Sequence, residues 1–124
     1  MMAEDLNAHL RMVDTLLAST QAAAALQAAE QALNAFPYSS DLLNLAGLCA
    51  ATLGDYPRAE RYWLQSIELE PTSPRTLFNL ALLNDNLQRR DQAEQYYRRA
   101  LEFDPDNAAA HSNLGAVLAA AHRS

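Results

Sequence analysis

The chain lacks the residues that staple small folds together. It holds one cysteine, Cys49, which excludes an internal disulfide and gives no cysteine-based zinc pattern. No apolar run approaches the ~20 residues that a spanning helix needs. The opening MMAEDLNAHL is acidic and lacks the apolar core of a signal peptide. These absences point to a soluble protein in a reducing, cytoplasmic setting, with no membrane contact. Sustained alternation of apolar and polar residues is missing, so no sheet is predicted. Only three glycines interrupt the 124 residues.

Lysine is absent as well: all nine basic residues are arginine, and the net charge is −6. Residues 1–70 carry nine acids against three arginines, whereas residues 71–124 carry six of each. An acidic chain without a basic stripe is a poor ligand for nucleic acid, whose affinity comes chiefly from phosphate neutralisation. Anionic membrane surfaces are disfavoured for the same reason.

What the chain does have is a period. Pro37, Pro71 and Pro105 are 34 residues apart. Asp5, Ser39, Ser73 and Asn107 keep the same step, as do Ala25, Ala59 and Ala93, and Ala32, Ser66 and Ala100. Self-similarity at this period signals helix–turn–helix units stacked as a solenoid. Such an array presents an extended surface and rarely encloses a catalytic pocket.

Within the unit from Ser39 to Ser73, Ser39 is a good N-cap, because its hydroxyl can accept from a free amide of the first turn. Leu42, Leu43, Leu45, Ala46, Leu48 and Cys49 then make a helix apolar on most faces. Gly54 stops it in the left-handed conformation. Pro57 sits just inside the second helix, where its missing N–H does little harm. Ala59, Tyr62, Trp63, Ser66, Ile67 and Leu69 recur at helical spacing before Pro71. The next unit repeats this logic from Ser73–Pro74, turning over Asn86 to Arg90 without a glycine. The first unit turns at Ser19–Thr20–Gln21 and has Ala29 where Trp63 and Tyr97 stand, so thinner packing and lower stability are expected there. Seven helices are predicted, over about 6–19, 21–35, 40–53, 56–69, 74–88, 91–103 and 108–122. The repeats run over about 5–38, 39–72 and 73–106, with a trailing helix over 107–124, as a single domain. Ala59 and Ala93 are expected to be buried at helix crossings. Asn84 either faces a groove edge or is buried with hydrogen-bond partners.

These residues resemble the tetratricopeptide repeat. The middle unit matches its pattern at Leu43, Ala46-Gly47, Ala50, Ala59, Trp63, Ser66 and Pro71. The third matches at Leu77, Leu80-Ala81, Ala93, Tyr97, Ala100 and Pro105. The resemblance implies an all-α, right-handed solenoid of antiparallel helix pairs. It also implies a scaffold that binds a peptide or protein segment along the first helices, without catalysis or cofactor. Two other readings stand beside this one: the substrate-selecting repeat region of a longer enzyme such as a glycosyltransferase, and a chaperone for a secretion-system subunit. By the family's geometry the groove comprises Asn44, Leu48, Arg75, Asn79, Leu82 and Asn113. Asn79 and Asn113 are one repeat apart, like the asparagine ladder of O-linked N-acetylglucosamine transferases, and a carboxamide offers both donor and acceptor to a peptide unit. The carboxylate clamp of co-chaperone repeats is not matched. In either register (Leu10, Asp14, Leu45, Arg75, Asn79 or Asn44, Leu48, Asn79, Ala109, Asn113) its set of cations is missing.

Other candidate chemistry reads as structure. His111 and His122 are eleven residues apart, about 16 Å along a helix, and form no metal-ligand set with His9. Cys49 has no histidine nearby in sequence to activate it. Arg89, Arg90, Arg98 and Arg99 alternate with Asp91, Glu94 and Glu102 as on a solvated helix face. The last helix offers Leu114, Val117 and Leu118 for self-association, as a two-fold dimer.

Overall fold

The computed structural model describes residues 5–121. Seven α-helices occupy them: α1 Leu6–Ala18, α2 Ala22–Ala35, α3 Ser40–Thr52, α4 Tyr56–Leu69, α5 Pro74–Asn86, α6 Arg90–Phe103 and α7 Ala108–Ala121. No strand occurs among the described residues. The predicted helices are met within two residues at every described end. The end expected at His122 lies outside the described residues.

The periodic polar residues are N-caps. Asp5 accepts from the Asn7 amide at 3.0 Å, Ser39 from Leu42 at 3.1 Å, Ser73 from Thr76 at 3.4 Å and Asn107 from Ala110 at 3.0 Å. Each satisfies an amide that the first helical turn leaves over. The turn inside each repeat is periodic too. Thr20, Gly54 and Gln88 take positive φ angles of 59°, 81° and 59°. Around them the amides of Gln21, Asp55 and Arg89 reach back to the carbonyls of Leu16, Ala50 and Asn84 at 2.9, 2.9 and 2.8 Å. Those of Thr20, Gly54 and Gln88 reach Leu17, Ala51 and Asp85 at 3.2, 3.0 and 3.0 Å. This is the Schellman arrangement three times over. Glycine adopts it freely only in the second repeat; Thr20 and Gln88 hold it against the clash of their Cβ atoms.

The described residues form two compact units, one ending at Glu70 and one beginning at Pro71. In the N-terminal unit α3 packs against α1, α2 and α4. The α3–α4 pair is antiparallel: Ser66 Oγ donates to the Ser40 carbonyl at 3.0 Å, and Trp63 Nε1 donates to that of Asn44 at 3.0 Å. Trp63 lies over Gly47, where an added Cβ would stand 2.4 Å from the indole nitrogen. Between α2 and α4, Glu30 accepts from the Tyr62 hydroxyl and from Arg58 Nη1 at 3.3 Å, while Arg58 Nε pairs with Asp55 at 3.2 Å. In the first pair Val13 and Ala29 are buried, and a recess of roughly 270 Å³ is lined by His9, Met12, Ala28, Gln31 and Ala32.

In the C-terminal unit one buried cluster joins Ala81 of α5, Ala93 and Tyr97 of α6, and Ala110, Leu114 and Val117 of α7. Ala59 and Ala93 are both fully buried. Asn84 is buried, and its Nδ2 donates to the Leu80 carbonyl at 2.8 Å.

Candidate peptide-binding face

The first helix of each repeat carries the residues expected to meet a partner. On α1, Asn7, Arg11 and Asp14 are exposed; on α3, Asp41 is exposed and Leu48 half-buried. One expectation fails on α3, that of Asn44. Asn44 is only 2% exposed and Leu45 only 8%, because this helix is enclosed by α1, α2 and α4. Asn44 therefore belongs to the interior, where its backbone carbonyl anchors the Trp63 indole.

The C-terminal unit keeps its expected residues accessible. Arg75 is exposed on α5, with Phe78, Asn79 and Leu82 half-buried beside it. On α7, Asn113 is half-buried, and Ala109, Ser112 and Ala116 are exposed. The face thus offers aliphatic and aromatic carbon, carboxamides and one guanidinium. Tyr97 supports it from below. Its ring meets Phe78 edge-on, with centroids 6.0 Å apart. Its hydroxyl donates to Asp85 Oδ2 at 3.2 Å. Burial first, then the Asp85 carboxylate, hold this phenol above its usual range, and a hydrogen bond from Asn113 pulls the other way. Asn113 is therefore shared between surface and support, a role that its one-repeat spacing from Asn79 does not reveal.

The self-association residues are also corrected. Leu114 and Val117 are 8% and 4% exposed and belong to the core cluster, with Leu118 packed against it. An aromatic side chain on α6 draws the large residues of α7 inward. Alanine, serine and Gly115 are left outside.

The remaining candidates are structural. Cys49 is buried, and burial followed by the charge of Asp14 pushes its thiol up to about 11, the opposite of an activated nucleophile. Among the described residues no three His, Cys, Asp or Glu side chains could hold a metal ion. His111 Nε2 lies 2.7 Å from the Pro105 carbonyl, and His9 packs against Phe36. His122 lies outside the described residues. In the arginine cluster, Arg98 pairs with Glu94 at 2.9 Å, and Arg99 lies over the Tyr96 ring. No helix among the described residues is long and apolar enough to cross a membrane.

Comparison with known proteins gives a consistent picture. Tetratricopeptide repeat patterns match residues 10–74 and 74–107. A protein O-mannosyl-transferase of Caenorhabditis elegans is 34% identical over 84 residues, covering 68% of this chain and 12% of its own length. Human tetratricopeptide repeat protein 7B is 30% identical over 91 residues, covering 73% and 11%. The chain therefore spans about an eighth or less of these relatives. Among solved structures, the first TPR domain of Spaghetti (RPAP3), bound to an HSP90 peptide, superimposes with a TM-score of 0.89 at 18% identity, covering 93% of this chain and 91% of that one. The Yersinia enterocolitica secretion chaperone SycD reaches 0.89 at 17% identity, covering 98% and 90%. These likenesses show the all-α repeat fold.

Proposed function

The chain belongs to the tetratricopeptide repeat family, and from that premise we propose that it is a protein-interaction scaffold. Its first-helix faces hold an extended peptide or protein segment. The observation that carries this reading is the α5 face, where Phe78, Asn79 and Leu82 stand half-exposed beside exposed Arg75. Carboxamides satisfy the donors and acceptors of a partner's backbone, and the apolar side chains supply burial. Leu48 on α3 and Asn113 on α7 extend the same chemistry within their own units.

The peptides seen on related folds support the mode of binding but not the same ligand. The Spaghetti domain binds an HSP90 peptide, whereas this chain lacks the cation set of a carboxylate clamp. The reading assigns no catalytic step to the chain, and the buried Cys49 thiol suits a reducing, cytoplasmic setting. Self-association through Leu114, Val117 and Leu118 is not part of it, because those side chains close the core.

A second reading is favoured by the O-mannosyl-transferase relative. On it, these repeats select substrates for a longer glycosyltransferase. The similarity to protein 7B balances that observation, so the scaffold reading leads. The SycD likeness bears on fold alone and adds nothing for a secretion chaperone.

Capture with the immobilised chain, followed by mass spectrometry and calorimetry of the recovered partner, tests the proposal. Arg75→Ala with Asn79→Ala is expected to weaken binding by about tenfold, or ~1.4 kcal/mol, in a chain that circular dichroism shows still folded. Undiminished affinity in that variant would overturn the assignment of this face.

A further inference from the structure

A second recess lies in the N-terminal unit, away from the residues used above. It is a pocket of roughly 360 Å³ lined by Pro37, Tyr38, Leu43, Gln65, Glu68 and Leu69. It forms where the α2–α3 loop meets the last turns of α4. Leu43 is buried and makes the floor, while Tyr38 is 81% exposed and Leu69 44% exposed at the rim. Single exposed apolar side chains need no explanation, but several around one recess mark a contact surface.

The recess is not a by-product of the repeat. One repeat later the same positions are Pro71, Thr72, Leu77, Arg99, Glu102 and Phe103. The Tyr38 ring has no counterpart there, since Thr72 takes its position and the aromatic Phe103 stands instead where Leu69 does, and a guanidinium stands where Gln65 does. That guanidinium lies 5.6 Å from the centroid of the Tyr96 ring. Of the second and third repeats, the second alone sets an exposed tyrosine ring beside a neutral carboxamide and an exposed carboxylate.

Charge selects the occupant. No cation lines the pocket, and Glu68 is exposed on its edge. Of the three arginines in residues 1–70, Arg11 lies on α1 and does not line the pocket, and Arg58 is held by Glu30 and Asp55. Arg61 is seven residues before Glu68, about 10 Å along the helix. We propose that this pocket docks a partner segment presenting one aliphatic or aromatic side chain next to a lysine or arginine. The apolar side chain rests on Leu43 between Pro37, Leu69 and the Tyr38 ring. The cation meets the Glu68 carboxylate. The Gln65 carboxamide and Tyr38 hydroxyl serve the segment's backbone. Burial supplies most of the affinity, and the exposed ion pair sets the sign preference. This site is independent of the first-helix faces, so a failure of either leaves the other standing.

The test is an NMR titration of the full 15N-labelled chain with two synthetic peptides, acetyl-Lys-Leu-Trp-Lys-amide and acetyl-Glu-Leu-Trp-Glu-amide. The basic peptide is expected to shift the amides of Tyr38, Leu43, Gln65 and Leu69. It should bind about fivefold more tightly than the acidic one, the ratio that ~1 kcal/mol gives. Tyr38→Ser, a change at an exposed position, is expected to remove the shifts, and Glu68→Arg to reverse the preference. The proposal is overturned by no binding at millimolar peptide, by equal affinity for both peptides, by shifts confined to Leu48, Arg75, Asn79, Leu82 and Asn113, or by indifference to Tyr38→Ser.

Discussion

The second and third repeats solve the same packing problem with different parts. In α3–α4 the large aromatic is Trp63, and the facing residue is Gly47, so the indole lies directly on the helix backbone. In α5–α6 the corresponding pair is Tyr97 and Ala81, both fully buried. The buried polar handles differ as well. The Trp63 N–H uses a backbone carbonyl, that of Asn44, whereas the Tyr97 hydroxyl uses the side chains of Asp85 and Asn113. The turn of the second repeat has Gly54 at the left-handed position and Asp55 capping α4. The third has Gln88 there, with Arg89 at the cap and no side-chain cap bond. Under its buried aromatic the second repeat thus uses glycine and a backbone carbonyl, and the third a side-chain network. One frame tolerates both because the volume added on one helix is removed from the other.

Exchanging the pairs should break this contrast most sharply. Gly47→Ala gains ~1 kcal/mol of helix propensity. Its methyl group overlaps the indole, which costs up to ~3 kcal/mol in overpacking and loosens a hydrogen bond of ~1 kcal/mol. A net loss of about 2–3 kcal/mol is expected in urea unfolding. Adding Trp63→Tyr, which installs the third repeat's solution, should restore most of it. An unchanged midpoint for Gly47→Ala alone would show that the close approach has no energetic weight.

The side-chain network offers a smaller effect with a pH signature. Tyr97→Phe leaves Asp85 and Asn113 without their shared partner and should cost about 1 kcal/mol. The folded state raises the pKa of Tyr97, and that of Tyr62 to about 12, through burial and then the neighbouring carboxylates. A raised folded pKa favours the neutral phenol. Its contribution is complete below the unfolded value of ~10 and is lost as pH rises through the folded value. Stability should thus fall above about pH 10, and less steeply in Tyr97→Phe. Equal slopes for wild type and variant would remove Tyr97 from this account.

The turns provide the smallest change. Gln88→Gly should stabilise the chain by about 0.5 kcal/mol by relieving the left-handed strain, and Thr20→Gly by somewhat more because threonine is β-branched. Gly54→Ala should destabilise by about 1 kcal/mol. Thermal melts that rank the three alike would deny any difference between these turns.

The sequence carries the fold because its period is written in caps, prolines and alanines, each with a local physical meaning. The left-handed turns at Thr20 and Gln88 are less legible, since neither residue advertises that conformation. Gly54, one repeat away from each, is the only signal for them. The binding face is legible in part. A helix pattern says which residues share a side but not how many neighbours enclose it, so Asn44 looked available on a helix that three others surround. Leu114 and Val117 misled for the converse reason. An apolar helix near the end of a sequence looks uncovered until Tyr97 and Ala81 are seen beneath it. The Tyr38 pocket is not legible in the sequence, because a loop tyrosine has no periodic partner.

The seat of Trp63 on Gly47 also makes this protein its own optical probe. The chain has one tryptophan, buried and hydrogen-bonded across the α3–α4 pair. Its emission therefore reports whether that single hairpin is closed, while circular dichroism averages over all the helices. Any denaturant range in which the two signals part company would reveal one stretch of the array loosening before the rest, with no label attached.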